Sequence, residues 1–273
     1  MRRGALFDLA EAAGVARAGR VMFVVAHPDD ETVAAGATLA SVPEPLVVHV
    51  TDGAPRDPSL RPGAPNARRD EYAAARRAEV GRALALARID EDRVACLGAI
   101  DQEAALELVP LVERLVAHVA AFAPALLVTH PYEGGHPDHD ACAFIARAVV
   151  DRLAADGALA PLLVEAASYH AAGGELVTCR FVPGTGGEEY VFELDRAAAA
   201  RKRAMFDCFV TQRDTLALMA IDAERFRVAP RYDFAAAPHA GPLYSERYGW
   251  PLDGARFRAL ARAALEELAR TQG

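Results

Sequence analysis

The chain has 273 residues, 38 acidic and 30 basic side chains and 8 histidines, for a formal net charge of −8. A composition that is 52% hydrophobic and 25% charged excludes a disordered chain. The acidic balance argues against binding nucleic acid through bulk positive charge.

In chain order the pattern predicts a buried strand at Val21–Ala26, a helix over about 31–41, a strand at Leu46–Val50 and a long helix over about 66–87. A strand at Val94–Leu97, a helix over 102–122 that Pro110 kinks or splits, a strand at Ala125–Thr129 and a helix over about 138–155 follow. This alternation implies right-handed βαβ crossovers and a parallel sheet covered on both faces. After residue 160 the expectation is a strand at Leu162–Tyr169, then a hairpin of Cys179–Val182 with Tyr190–Glu193 around Pro183-Gly184-Thr185-Gly186-Gly187. Helices over about 195–209 and 255–270 complete the reading. The fold class is α/β, a Rossmann-like three-layer sandwich with a mostly parallel sheet and a C-terminal hairpin/helix extension. Residues 1–273 are expected to form one domain whose portion from 160 to 273 is decorated.

Cys96, Cys142, Cys179 and Cys208 lie far apart with no C-x-x-C pair, a reduced set and no disulfide framework. Arg2 and Arg3 are followed by no apolar leader, and no apolar run reaches the ~18 residues of a spanning helix, so a cytoplasmic protein is expected. Lys202 is the only lysine, which nearly excludes Schiff-base chemistry.

Every ionisable cluster follows the carboxyl end of a predicted parallel strand, where open α/β sheets bind ligands. The first strand runs into Ala26-His27-Pro28-Asp29-Asp30-Glu31 and the fourth into Thr129-His130-Pro131-Tyr132-Glu133-Gly134-Gly135-His136-Pro137-Asp138-His139-Asp140. The second ends in Thr51-Asp52-Gly53 and the third in Gly98-Ala99-Ile100-Asp101. Three carboxylates within five residues repel unless a cation or a cap relieves them. With two imidazoles three residues apart in the second motif, the donor set suits Zn²⁺ or Fe²⁺ and one spare carboxylate can serve as base. Those residue types point to a metal-dependent hydrolase, with the choice between Asp29 and Asp30 as ligand left open.

Together the His27-Pro28-Asp29-Asp30-Glu31 and His136-Pro137-Asp138-His139 motifs resemble the LmbE-like, or PIG-L, de-N-acetylase family. Similar matches occur at Thr51-Asp52-Gly53-Ala54, at Arg68-x-x-Glu71, at Asp101, and from Lys202 to Gln212, where Thr211 replaces a family serine. The resemblance spans roughly residues 20 to 226. It implies a Rossmann-like fold and metal-dependent removal of an N-acetyl group from an N-acetylglucosamine conjugate. By motif position it implies His27, Asp30 and His139 as ligands of one divalent metal, Zn²⁺ first and Fe²⁺ second. It implies Asp29 as the general base acting on the metal-bound water, His136 as oxyanion stabiliser and proton donor, and Asp138 as the residue orienting the His136 ring. The position two before His136, a tyrosine in some members, is Gly134 here, and Tyr132 lies four before it.

Arg68, Asp101, Tyr132 and His239 are the candidate substrate contacts. Arg68 also reads as part of a solvated helix face, as do Arg69, Arg76, Arg77 and Arg82. Asp101 also reads as a helix cap, and His239 as an ordinary loop residue. Tyr232, Tyr244, Tyr248 and Trp250 either stack on a sugar or pack. His49, His118 and His170 read as structural or surface residues. The partner expected is a small N-acetylated sugar conjugate, with no nucleic acid and no membrane span; self-association is compatible with the sequence. The competing reading is a metal-dependent deacylase of a non-sugar amide or an ester. A dinucleotide-binding module lacks its G-x-G-x-x-G, and a serine hydrolase its G-x-S-x-G.

Overall fold

A computed structural model describes residues 5–15, 19–63 and 66–271; Arg2 and Arg3 lie outside the described residues. The elements in order are α1 (Ala5–Ala12), β1 (Val21–Val25), α2 (Asp30–Leu39), β2 (Leu46–Thr51), α3 (Arg69–Leu86), β3 (Val94–Ala99), α4 (Leu108–Phe122), β4 (Leu126–Thr129) and α5 (Pro137–Ala155). Then come β5 (Leu162–Ala166), β6 (Tyr169–Ala172), β7 (Glu175–Thr178), β8 (Tyr190–Glu193), α6 (Arg196–Phe206), α7 (Arg213–Leu216), β9 (Ala223–Val228) and α8 (Gly254–Thr271). Among the described residues no helix is long and apolar enough to cross a membrane.

The main sheet runs β3-β2-β1-β4-β5-β9-β8. Its first five strands are parallel, and β9 and β8 join antiparallel. Successive side chains of a strand point to opposite faces. Met22 and Val24 therefore pack with α4, α5 and α8 on one side, and Val21 and Phe23 pack with α1, α2 and α3 on the other. Both faces are covered, which is why the central strands read as continuous apolar runs. The result is the mostly parallel three-layer α/β fold expected.

Three expectations need correction. Pro110 neither kinks nor splits α4: it lies in the first helical turn, where the backbone N–H has no helical partner, and Ala104–Glu107 forms a separate 3-10 turn. The predicted fifth strand ends at Ala166, and Tyr169 opens β6. The hairpin lies elsewhere, between β6 and β7, while β8 pairs with β9. The segment after Cys179 is pulled away from β8, because the Val182 N–H donates to Glu133 Oε1 and the Gly186 backbone lies against the Arg227 guanidinium. Helix α1 and strand β9 were not anticipated.

Lys202 serves this frame. Helix α2 bends at Ala35 (φ −146°), and the backbone N–H groups of Ala37 and Thr38 donate to Glu224 on β9 at 2.7 and 2.9 Å. Lys202 Nζ donates to the same carboxylate at 2.9 Å, and neither side chain is exposed. A buried pair broken on one side leaves an uncompensated charge, typically costing about 3–5 kcal/mol. Lys202→Met should therefore lower the unfolding free energy by about that amount in urea titrations; a change below about 1 kcal/mol would contradict this role.

Candidate active site

Strand β1 neighbours β2 on one side and β4 on the other, so the strand order switches sides between these two parallel strands. That switch point opens a crevice at the carboxyl ends of the strands. The loop after β1 carries His27, Asp29 and Asp30; the loop after β4 carries His130 to His136 and leads into α5 with Asp138 and His139. The Gly134-Gly135 turn is required by contact: Gly134 has φ +67°, and a Cβ on Gly135 would stand 2.1 Å from the Tyr169 carbonyl oxygen. Asp140 Oδ1 accepts the N–H groups of Glu133 and Gly134 at 3.2 and 3.0 Å and holds the turn.

His27, Asp30 and His139 converge, with donor atoms all within 4.8 Å of one another. Asp30 Oδ2 lies 3.1 Å from His27 Nδ1, and Asp30 Oδ1 lies 3.2 Å from His139 Nε2. Ser168 Oγ sits 3.3 Å from His139 Nδ1, while the buried Nε2 makes no hydrogen bond. Burial favours a neutral Asp30, yet the His139 and His130 imidazoles outweigh it and hold the carboxyl well below its usual range. Burial lowers His139 to about 4, so its ring is neutral at pH 7. These are protonation states in which imidazole and carboxylate ligate metal.

Asp29 stands apart. Its Oδ2 accepts from Arg76 Nη2 at 3.1 Å, and Arg76 is itself buried and also donates to the Pro28 carbonyl. Burial raises the Asp29 carboxyl above its usual range, with Arg76 opposing. His136 Nδ1 accepts the Asp138 backbone N–H at 3.1 Å, which leaves the neutral ring's proton on Nε2. Burial, reinforced by nearby His27, lowers His136 to about 3.

The Asp138 carboxylate does not orient His136; its Oδ2 is 3.9 Å from that ring. It lies 3.1 Å from His27 Nε2 and accepts the N–H groups of Gln102 and Ala104 at 2.5 and 3.1 Å. The orienting group for His136 is the backbone amide of Asp138. Asp101 reaches the same imidazole, with Oδ1 3.2 Å from His27 Nε2.

A cavity of about 470 Å³ opens over these groups, lined by His27, Asp29, Asp30, Asp101 and His136 among others. Three predicted substrate contacts do not line it. Arg68 is the N-cap of α3, its side chain 76% exposed and paired with Asp70. Tyr132 packs against Tyr232, Phe234 and Phe257 in the core and donates its hydroxyl to the Ala236 carbonyl. His239 lies outside the cavity lining, with Nε2 3.2 Å from the Glu133 carbonyl oxygen.

Arg76 was misread as solvated. Local sequence carries no signal for it, because Arg76-x-x-Glu79 has the same pattern as Arg68-x-x-Glu71 eight residues earlier. Only Arg76 and Glu79 are buried; Glu79 accepts the backbone N–H and the hydroxyl of Thr211. His130 was also missed: it stacks on His139 with ring centroids 3.9 Å apart, and its Nε2 accepts the Ala26 N–H. Tyr244, Tyr248 and Trp250 line the cavity, whereas Tyr232 donates its hydroxyl to Glu165. His49 is structural, its Nε2 3.0 Å from Glu31 Oε2.

Residues 22–150 match the PIG-L family, described as GlcNAc-PI de-N-acetylase. This chain carries a PIG-L family domain. Both loops of the site, from His27 to Asp30 and from His136 to His139, fall inside that match. No curated protein sequence matches the chain. Among solved structures, the fold is similar to that of the A40926 pseudoaglycone deacetylase, with TM-score 0.58 and 16% identity over 78% of this chain and 99% of that one. It is also similar to N,N'-diacetylchitobiose deacetylase from Pyrococcus horikoshii, with TM-score 0.55 and 20% identity over 83% and 88%. A third similar structure is 4-carboxy-2-hydroxymuconate hydratase from Pseudomonas putida KT2440, with TM-score 0.53 and 17% identity over 78% and 98%. One fold thus carries two reaction types, and the reaction has to be argued from side chains.

The contact between Gly135 and Tyr169 ties the second motif, inside the PIG-L match, to β6 beyond its end. Gly135→Ala should force the two backbones apart and lower stability by about 1–3 kcal/mol in denaturant unfolding. An unchanged midpoint would show that the turn is slack.

Proposed function

We propose that this protein removes the acetyl group from an N-acetylglucosamine-type sugar conjugate, holding one divalent metal between His27, Asp30 and His139. One observation carries the reading: those three donors share a buried focus, while the adjacent carboxylate Asp29 is kept out of it by Arg76.

The residues fit a metal. Two imidazoles and a carboxylate are donors suited to Zn²⁺, with Fe²⁺ second. His139 Nε2 is buried with no hydrogen-bond partner, and Asp30 faces it. His27, Asp101, His136 and Asp138 also lie close together, but Asp138 already accepts two backbone N–H groups, so the first group is the better seat. Burial disfavours a charged His27, but Asp101, Asp138 and Asp30 outweigh it and raise its pKa well above the usual value. Of its two ring nitrogens Nδ1 is the one beside Asp30, and so the one placed to take the cation. With Nδ1 so engaged, Nε2–H donates to Asp138, a carboxylate–histidine pair that fixes the ligand's tautomer.

Zn²⁺ in such a site supplies Lewis-acid polarisation of the acetyl carbonyl and an acidic water. The chain's own residues do the rest. Asp29 takes the proton of the attacking water; Arg76 fixes one carboxylate oxygen and leaves the other free. His136 keeps its Nε2–H directed as a hydrogen bond toward the carbonyl oxygen as charge gathers there, and the proton that Asp29 took from the water passes to the departing nitrogen. Asp101, at the cavity wall, accepts hydrogen bonds from sugar hydroxyls.

A positioned general base contributes roughly 10²–10⁴ in rate. Asp29→Asn should lower kcat for acetate release by about that factor while metal content is retained. Full activity would remove Asp29 from the role. His139→Ala should lose metal occupancy, read by elemental analysis. Asp138→Asn should weaken metal affinity by about 10–100-fold in chelator competition; unchanged affinity would mean that Asp138 does not act through His27.

A further inference from the structure

The cavity is chemically two-sided. Its polar end holds the groups just described. Its lining also includes an apolar wall of Val33, Leu60, Leu176, Leu216, Leu218 and Met219, none of which hydrolysis of an acetamide requires. Leu216 and Met219 root this wall in the apolar cluster under the sheet, whereas Leu218 is 59% exposed at the rim.

The C-terminal segment adds an aromatic platform. Trp250 meets the His136 ring edge-on with centroids 4.8 Å apart. Tyr248 stacks on Trp250 at 4.8 Å with planes 15° apart, and is itself 53% exposed. A continuous aromatic surface thus runs from the catalytic imidazole outward. Exposed large apolar side chains gathered at a cavity mouth mark a ligand groove.

Charge narrows the ligand further. Among the described lining residues Arg76 is the only arginine or lysine; its Nη2 donates to Asp29 and the Pro28 carbonyl, and its Nε is buried. Asp29, Asp30, Asp101 and Asp214 stand against it. A phosphate or carboxylate on the substrate would meet one buried guanidinium already paired with Asp29, and several carboxylates.

We infer that the substrate is an uncharged N-acetylamino-sugar glycoside with an apolar aglycone. The aglycone lies between the Tyr248–Trp250 platform and the Leu216–Leu218–Met219 wall, and phosphate-bearing conjugates are rejected. The inference rests on the deacetylase reading of the site.

The test compares kcat/KM for acetate release by zinc-loaded protein on three probes: the hexyl and methyl glycosides of N-acetylglucosamine, in both anomers, and N-acetylglucosamine 1-phosphate. The expected result is that one hexyl anomer exceeds its methyl counterpart by about tenfold or more, with the phosphate below both. Leu218→Ser and Tyr248→Ala should each lower the hexyl-to-methyl ratio. Hexyl and methyl values within about twofold of each other, or a preferred phosphate, would overturn the inference while leaving deacetylation standing. A gain seen only when the N-acyl group is lengthened would also overturn it. Acetate release from none of the probes would instead overturn the deacetylase reading itself. Should one variant fail to fold, the wild-type ratio and the other variant still decide.

Discussion

The site depends on the parallel pairing of β1 with β4. Their register, Val21 with Leu126 and Phe23 with Val128, makes both strands end at the same edge of the sheet. The loops that follow then face each other across the switch point, and residues separated by 111 positions, His27 and Asp138, come within 3.1 Å. Because both faces of these strands are buried, a one-residue slip would turn apolar side chains the wrong way on both sides. The packing that stabilises the sheet therefore also sets the spacing of the ligands.

What this pairing gathers is costly in itself. Asp30, Asp101 and Asp138 surround the His27 imidazole, and Asp29 lies buried beside them. Each acid is accommodated by a different partner: Arg76 for Asp29, imidazoles for Asp30, His27 for Asp101, and backbone N–H groups for Asp138. Residue 102, whose N–H serves Asp138, has φ +71°, a conformation rare outside glycine and stabilised there by that carboxylate. The same sorting separates the chemistry of identical side chains. An aspartate raised by burial beside an arginine and an aspartate lowered by imidazoles sit at adjacent positions, which is how a base and a ligand can come from one dipeptide.

Much of this was legible in the sequence, because the informative signals were local. Short β-branched runs followed by clusters of His and Asp located the strand ends, and the two His-containing motifs located the loops. Non-local partners were not legible. Arg76 looks like any other arginine on a charged helix until α3 is laid against the β1 loop. Tyr132 looks available until Phe234 and Phe257 enclose it. The expected partner of Asp138 failed for the same reason: sequence proximity suggested His136, whereas the fold turns the carboxylate toward His27. Strand β9 was hidden because two of its buried residues, Glu224 and Arg227, are charged and paired with Lys202 and Glu165, which breaks the apolar pattern around Ala223 and Phe226. The displaced hairpin shows that turn chemistry alone does not choose a strand's partner when a neighbouring charge network claims the segment.

The fold is shared with deacetylases and with a hydratase, so the account stands on the single cation focus more than on the architecture. X-ray absorption at the zinc edge, on protein reconstituted with one equivalent of Zn²⁺, addresses that focus directly. The account predicts nitrogen and oxygen neighbours at about 2.0–2.2 Å with the scattering signature of two imidazole rings and no sulfur. A spectrum with sulfur neighbours, with oxygen neighbours alone, or indistinguishable from zinc in buffer would contradict it.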